Sequence, residues 1–285
     1  MDTTAKNWTE VIESSNSLFD LRLKEVWRYR DLLRMFVKRD FVAIYKQTIL
    51  GPLWFFIQPL LTTIVFTIVF GNFAGVDVGK QPKILFFLSG VTIWNYFADC
   101  FTKTSTVFKD NASLFGKVYF PRLIIPLSII VSGLIRFMIQ FILFIGFVVF
   151  FVITKPTVVH PNWYALLTPF LIVLMGGFAL GGGMIISSLT TKYRDLAFLL
   201  TFGVQLLMYT VPVVYSTDSP RMAPYKDYVA LNPLSSIVET FRYAFLGSGH
   251  FAWGPLLYST LCMVVLLAVG TLVFNKNEKS FMDTV

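Results

Sequence analysis

Six stretches of this chain are each long and apolar enough to cross a lipid bilayer, and nothing else in the sequence restricts its fold as severely. A helix needs about 20 apolar residues to traverse roughly 30 Å of hydrocarbon. Such runs occupy positions 52–71, 84–101, 123–153, 163–189, 196–214 and 253–274. The third and fourth exceed the minimum, which predicts tilt, a kink near Pro126 or extension past the bilayer. Only 14% of the residues are charged, against about 25% in a soluble domain, so ordinary soluble domains are excluded. The mean hydropathy of +0.68 agrees. The expectation is an all-α polytopic membrane protein with six transmembrane helices. The first forty residues lack the apolar run and small-residue cleavage pattern of a signal peptide, so the N-terminus is expected to stay in the mature protein. Cys100 and Cys262 lie far apart in apolar stretches and read as packing residues, excluding a disulfide framework.

The net charge of +8 is compatible with a phosphate-rich partner, and the distribution of the charges selects lipid over nucleic acid. With the N-terminus inside, the inner segments hold 17 of the 24 Lys and Arg residues and the outer segments 6, with Arg136 left within the third span. This asymmetry predicts both termini in the cytoplasm. The chain then divides into a cytoplasmic N-terminal segment (1–51), a six-span transmembrane domain (52–274) and a cytoplasmic tail (275–285).

Between the spans, three segments carry patterns of their own. Over 24–40 the apolar residues Val26, Tyr29, Leu33, Phe36 and Val37 recur at helical steps among Arg28, Arg30, Arg34, Lys38 and Arg39, which predicts a basic amphipathic helix lying on the cytoplasmic interface. Two roles stay open for it: anchoring alone, or contact with a partner or with anionic headgroups. The segment at about 107–121 has room for a helix of two or three turns closed by Pro121, either a connector or a docking knob. The last external loop, about 215–248, is too long to be structureless. Asn232-Pro233 opens a helical run whose apolar face is Ile237, Phe241 and Phe245, either flat on the outer surface or re-entrant.

Several chemistries are absent. No Gly-rich loop ends in Gly-Lys-Ser/Thr, so ATP hydrolysis by this chain is not expected. His160 and His250 stand apart without acidic clusters, and no paired aspartates are spaced to hold magnesium on a diphosphate. Asp99 is the one acid within a span. Arg136, with Gln140 one turn on, is either a lining of a polar path or an internal lock, because an intramembrane charge is costly. Gly176, Gly177, Gly181, Gly182 and Gly183 predict close helix packing in the fourth span. The aromatic excess is open to three readings, lipid-facing bulk, interface belts or faces on which sugars stack, and Trp54, Phe55 and Phe56 are the positions at which to test stacking.

The order of these parts resembles a known family. Lys38-Arg39-Asp40 leads into Tyr45-Lys46-Gln47-Thr48-Ile49-Leu50-Gly51-Pro52-Leu53-Trp54 and Gln58-Pro59. Then come Asn111…Leu114…Lys117…Phe120-Pro121, Tyr193-Arg194-Asp195, Asn232-Pro233 and the ending Glu278-Lys279-Ser280-Phe281-Met282-Asp283. This is similar to the permease subunits of ABC-2 type exporters that move lipid-linked polysaccharide, O-antigen or teichoic acid, and the likeness covers nearly the whole chain. The resemblance implies a homodimer bound to two copies of a separate ATP-binding subunit, which carries the ATP and Mg while this chain binds no cofactor. It implies undecaprenyl-diphosphate-linked glycan as substrate, with membrane lipids around and no nucleic acid. It assigns Asn111, Leu114, Phe115, Lys117, Phe120, Pro121, Arg194 and Asp195 to ATPase coupling. Lys38, Arg39 and Lys46 fall to the pyrophosphate headgroup. Trp54, Phe55, Phe56, Arg136 and Gln140 fall to the translocation path, and Tyr215, Asn232, Pro233, Glu239 and Arg242 to an external gate. A small-molecule or lipid exporter of the same topology, and a non-transport membrane scaffold or enzyme, are the competing readings.

Overall fold

A computed structural model describes residues 23–46, 48–115, 120–193 and 195–282. Among these residues the fold is helical throughout, with no strand. Leu23–Arg28 (α1) and Arg30–Tyr45 (α2) make one bent amphipathic rod, the Leu33 N–H donating to Tyr29 O at 3.1 Å across the joint. Gly51 then turns the chain with φ +51°, a left-handed conformation open to glycine, and Pro52 starts the first long helix. That helix, α3 (Trp54–Phe66), widens over Thr67–Phe73 into π-type turns in which the Ala74 N–H reaches back five residues to Val69 O.

The remaining elements are α4 (Lys83–Ser105), the single turns α5 (Val107–Asp110) and α6 (Ala112–Phe115), α7 (Ile124–Thr154), α8 (Thr168–Lys192), α9 (Leu196–Thr210), α10 (Lys226–Leu231), α11 (Pro233–Leu246) and α12 (Trp253–Met282). Among the described residues, five helical stretches are long and apolar enough to cross a membrane: Gly51–Phe73, Lys83–Ser105, Ile124–Thr154, Trp163–Lys192 and Trp253–Lys276. The expected span at 196–214 is shorter than its apolar run. Its helix α9 stops at Thr210 after 15 residues, a rise of about 22 Å. Pro212 supplies the reason, because the residue before a proline is pushed out of the helical region, and Val211 sits at φ −101°, ψ 143°. At the other end of the chain, α12 runs past 274 to Met282, so the first part of the expected tail is a helical extension.

α4 and α8 form the buried centre, with α3, α7, α9 and α12 exposing large apolar side chains around them. Where water supplies no hydrophobic drive, helices associate by close packing of small residues. The glycines of α8 do this on two sides, toward α4 and toward α12. A Cβ on Gly181 would lie 2.9 Å from the backbone of Leu266 in α12, one on Gly183 2.6 Å from Thr104 Cβ in α4, and one on Gly176 2.7 Å from the Tyr96 hydroxyl. Gly177 of the small-residue pair faces Met263 of α12 as well, so the pattern does pack helices together.

Replacement of Gly181 therefore has no room, whereas a Cβ on Gly203 of α9 meets nothing within 4 Å. Gly181→Val is expected to lower stability by about 2 kcal/mol or more through overpacking, and Gly203→Ala to leave it within about 0.5 kcal/mol. Unfolding of the purified chain in mild detergent measures both, and equal melting temperatures would sink the packing argument.

Candidate functional site

The segment at 107–121 lies at the end of the bundle that carries α2. Its described part up to position 115 is two single turns rather than one continuous helix, because the chain breaks at Asn111 (φ −117°, ψ 18°). The Asn111 amide donates back to Val107 O at 3.0 Å, and Thr106 Oγ1 donates to Asp110 Oδ2 at 2.6 Å. Such side-chain bonds compete with helix continuation. The segment rests on an apolar cluster of Phe36, Phe108, Phe120, Ile125, Met184 and Phe274. Phe108 stacks on Phe274 of α12 at 4.6 Å between ring centroids, and Phe120 packs on Phe36 of α2 at 5.9 Å. Phe120 is thus an internal anchor, while Asn111, Leu114 and Pro121 remain partly accessible and Asp195 is exposed at the N-terminus of α9. Lys117, Arg194 and the side chain of Phe115 lie outside the described residues.

The three candidate headgroup cations are not gathered. Arg39 pairs with Asp40 at 2.8 Å and lies 4.8 Å from the Phe36 ring centre, Lys46 is exposed past the end of α2, and Lys38 stands on another face of α2, toward α7. The aromatic trio also divides. Phe55 is buried and stacks on Phe41 at 6.3 Å, whereas Trp54 is exposed and Phe56 half-buried.

Arg136 has a partner that sequence reasoning did not supply. Its Nη1 lies 3.0 Å from Asp99 Oδ2 of α4, and one turn further along both helices Asn95 Nδ2 meets Gln140 Oε1 at 3.5 Å. The pairing follows from antiparallel packing of α4 and α7, which brings positions 95 and 99 level with 140 and 136. Asp99 lies six residues, or about 9 Å of rise, from the end of α4. Arg136 therefore sits nearer that end than its distance from Arg122 suggests, because α7 starts lower than α4 stops. The arginine is 8% exposed while the carboxylate side chain is 51% exposed, so the polar seam is sealed on one side and opens on the other. Arg136 Nε makes no hydrogen bond.

The third site follows from the end of α9. The turn at 211–214 is buried and reaches Gly90 of α4, where a Cβ would lie 2.9 Å from Val213 O. From there the chain crosses the Pro220–Tyr225 turn and α10 to Asn232, whose side chain caps α11 by accepting from the Leu234 N–H and donates to Thr210 Oγ1 at 3.1 Å. Ser259 of α12 donates to Pro233 O at 2.6 Å. The Asn232-Pro233 pair thus ties α9, α11 and α12 together. α11 is buried along most of its length, with Phe241 and Phe245 on Phe144 of α7 at 5.4 and 5.3 Å, so a helix lying flat on the surface is ruled out.

Arg242 of α11 is wholly enclosed. Its guanidinium covers the Phe86 ring at 3.7 Å and donates to Val213 O at 3.2 Å. A carbonyl and an aromatic face compensate a buried cation that has no ion pair among the described residues. Burial pulls the Arg242 pKa down, opposed by Glu239, Asp218 and Tyr215. Glu239 accepts a hydrogen bond from Thr217, and burial raises its carboxyl above the ordinary value, opposed by that bond and by Arg242. Tyr215 is pushed up to about 12 by burial and by Glu239. Glu239 and Arg242, with Asp77 and Asp218, line a cavity of about 100 Å³, and Asp218 pairs with His250 at 3.2 Å. Of the expected gate residues, Asn232 and Pro233 sit at the N-terminus of α11 and Glu239 and Arg242 about two turns on, whereas Tyr215 precedes α10 and its hydroxyl donates to Thr210 O at 3.2 Å. Sequence reasoning missed Thr217 and Asp218, which lie within the 215–248 segment but carry no motif, and Phe86 and Ser89 of α4, far away in sequence, where Ser89 Oγ accepts from Arg242 Nε at 3.5 Å.

Asp99→Asn leaves Arg136 without its counter-charge. The expected loss is about 2 kcal/mol, below that of a fully buried pair because Asp99 is half open, and a double Asp99→Leu, Arg136→Met chain is expected to unfold later than the single variant. A single variant as stable as wild type in detergent unfolding would disprove the pairing. For Glu239, a raised folded pKa means the native state holds more protons than the unfolded one from the ordinary value of 4.5 upward. Stability is then lost as pH rises through the folded pKa. Glu239→Gln should lack this loss, so its stability relative to wild type increases between pH 4 and pH 8; a constant difference would refute the burial argument.

The chain was compared with known proteins on this basis. Residues 31–246 match the ABC-2 type transporter family. The O-antigen export system permease protein RfbA of Klebsiella pneumoniae is 29% identical over 257 residues, covering 89% of this chain and 94% of that protein. The protein of the same name in Myxococcus xanthus is 24% identical, covering 92% and 98%. The capsule polysaccharide export inner-membrane protein CtrC of Neisseria meningitidis is 23% identical, covering 85% and 89%. With three quarters of its length matched and a bundle of membrane-length apolar helices, the chain belongs to the ABC-2 type transporter family.

Proposed function

We propose that this chain is the permease subunit of an exporter that moves an undecaprenyl-diphosphate-linked, O-antigen-like polysaccharide across the cytoplasmic membrane. The observation that carries the reading is the end-to-end similarity to permeases named for O-antigen export, reinforced by a relative named for capsule polysaccharide export. Two copies of the chain form the channel and two copies of a separate ATP-binding subunit drive it, holding the ATP and Mg. The lack of a phosphate-cradling loop in the sequence supports this division.

In this reading α9 is the fifth of six crossings, completed by the buried turn at 211–214, and both termini are cytoplasmic, as the excess of Lys and Arg on one side supports. Segment 107–121, with Asn111, Leu114, Phe115, Lys117 and Pro121, couples to the ATPase beside Arg194 and Asp195, and Phe120 holds it to α2. The diphosphate is met at the inner interface by Arg39 and Lys46. Trp54 and Phe56 offer faces on which sugar rings slide, and the Arg136–Gln140 seam supplies polar wall, since hydroxyls without partners are costly to bury. Tyr215, Asn232, Pro233, Glu239 and Arg242 form the external gate.

Purification of the tagged chain from its native membrane in mild detergent is expected to bring one ATP-binding subunit per permease. A combined Arg39→Ala, Lys46→Ala chain is expected to keep that complex and lose at least about tenfold in ATP-dependent glycan export, the weight of charge-assisted phosphate bonds. An intact permease that never carries an ATPase would overturn the exporter reading, and undiminished export by the double variant would overturn the headgroup assignment alone.

A further inference from the structure

Between α2 and the N-terminal third of α7 runs a groove of about 320 Å³ whose walls are Leu33, Val37 and Phe41 on one side and Val131 and Ile135 on the other. Arg34 and Lys38, one turn apart on α2, complete its lining. Both cations are exposed, whereas the wall residues Leu33, Val37, Phe41 and Ile135 are half-buried. The result is an apolar slot with positive charge along one edge, placed where an amphipathic helix leans on a membrane-length helix.

The charge at that edge is small and specific. Arg34 already bonds Asp31 at 3.1 Å, with both side chains about three-quarters exposed (74% and 75%). Lys38 has no acidic partner among the described residues. The edge therefore carries a net charge of about one positive unit, which balances a phosphodiester better than a diphosphate. Voids beside apolar walls forfeit dispersion contacts, and in a bilayer the neighbour at hand to fill them is a hydrocarbon chain.

We propose that this groove is a binding site for a resident anionic glycerophospholipid, with one acyl chain between α2 and α7 and its phosphate held by Lys38 and Arg34. The lipid acts as a shim: it fills the gap between α7 and Phe41, whose ring stacks on Phe55 at the foot of α3. Lys38 is thereby separated from the substrate-facing cations. The inference needs the chain to sit in a membrane but does not depend on what the chain exports.

The test reads lipid retention rather than transport. The full chain, with whatever subunits accompany it, is reconstituted into nanodiscs of equal phosphatidylglycerol and phosphatidylcholine, re-extracted, and the retained lipid counted by native mass spectrometry. The wild type is expected to favour phosphatidylglycerol, and Lys38→Gln and Arg34→Gln each to reduce that preference about fivefold, the weight of one cation near a lipid surface. Val131→Trp, at a position already 37% exposed, fills the groove and is expected to lower retention of both lipids without unfolding. Three results would overturn the proposal: a preference indifferent to both Gln variants, retention untouched by Val131→Trp, or a Val131→Cys chain that crosslinks to a second copy because protein covers the groove. Displacement of phosphatidylglycerol by an equal amount of undecaprenyl phosphate, sensitive to Lys38→Gln, would also overturn it by giving the groove to the polyprenyl chain.

Discussion

The missing side chains of α8 set the distances on which the bundle depends. Gly176 and Gly183 admit α4, and Gly181 admits α12, at separations that any larger residue would prevent. In hydrocarbon the apolar side chains gain little by leaving lipid for protein, so dispersion between close backbones has to hold the helices. α4 can then be almost wholly enclosed, from Leu85 to Cys100, and still present Asp99 and Asn95 along one edge. Wider spacing at α8 would move α4, and with it both polar sites.

Arg136 and Arg242, two of the buried arginines among the described residues, are accommodated differently. Arg242 is fully enclosed and has no carboxylate within ion-pair distance among the described residues; a carbonyl from the turn at 211–214 and the face of Phe86 replace its water. Arg136 pairs directly with a carboxylate that keeps half its surface open. The first arrangement makes a joint between the turn and two helices, and moving any of the three exposes a bare cation. The second keeps a charge pair at an accessible edge, where water or another polar group can approach it.

Much of the helical order was legible from hydropathy alone, because four of the six apolar runs end within a few residues of their helices, and a fifth, 253–274, begins with α12, which then continues to Met282. The exception is the run at 196–214, where apolar character persists through Val214 while Pro212 ends the helix. Hydropathy does not register a missing N–H. The family motifs marked Asn232-Pro233 and the 107–121 segment, but not that Asn232 clamps Thr210 or that Asn111 breaks its own helix by bonding Val107. Those depend on side-chain geometry rather than on pattern. Arg136 and Asp99 were each conspicuous as charges in apolar runs, yet their pairing is a fact of register between α4 and α7. Thr217 and Phe86 had no signal at all, since ordinary residues become part of a site only through the neighbours that packing gives them.

The stack of Phe108 on Phe274 has a mechanical consequence. One ring belongs to a single helical turn between two spans and the other to the far end of the last span, while Phe120, ten residues past that turn, packs on Phe36 of α2. Displacing Phe108 at this face pushes on α12, and through the glycine contacts between α12 and α8 on the centre of the bundle, so α5 bears on the helices as the handle of a lever does.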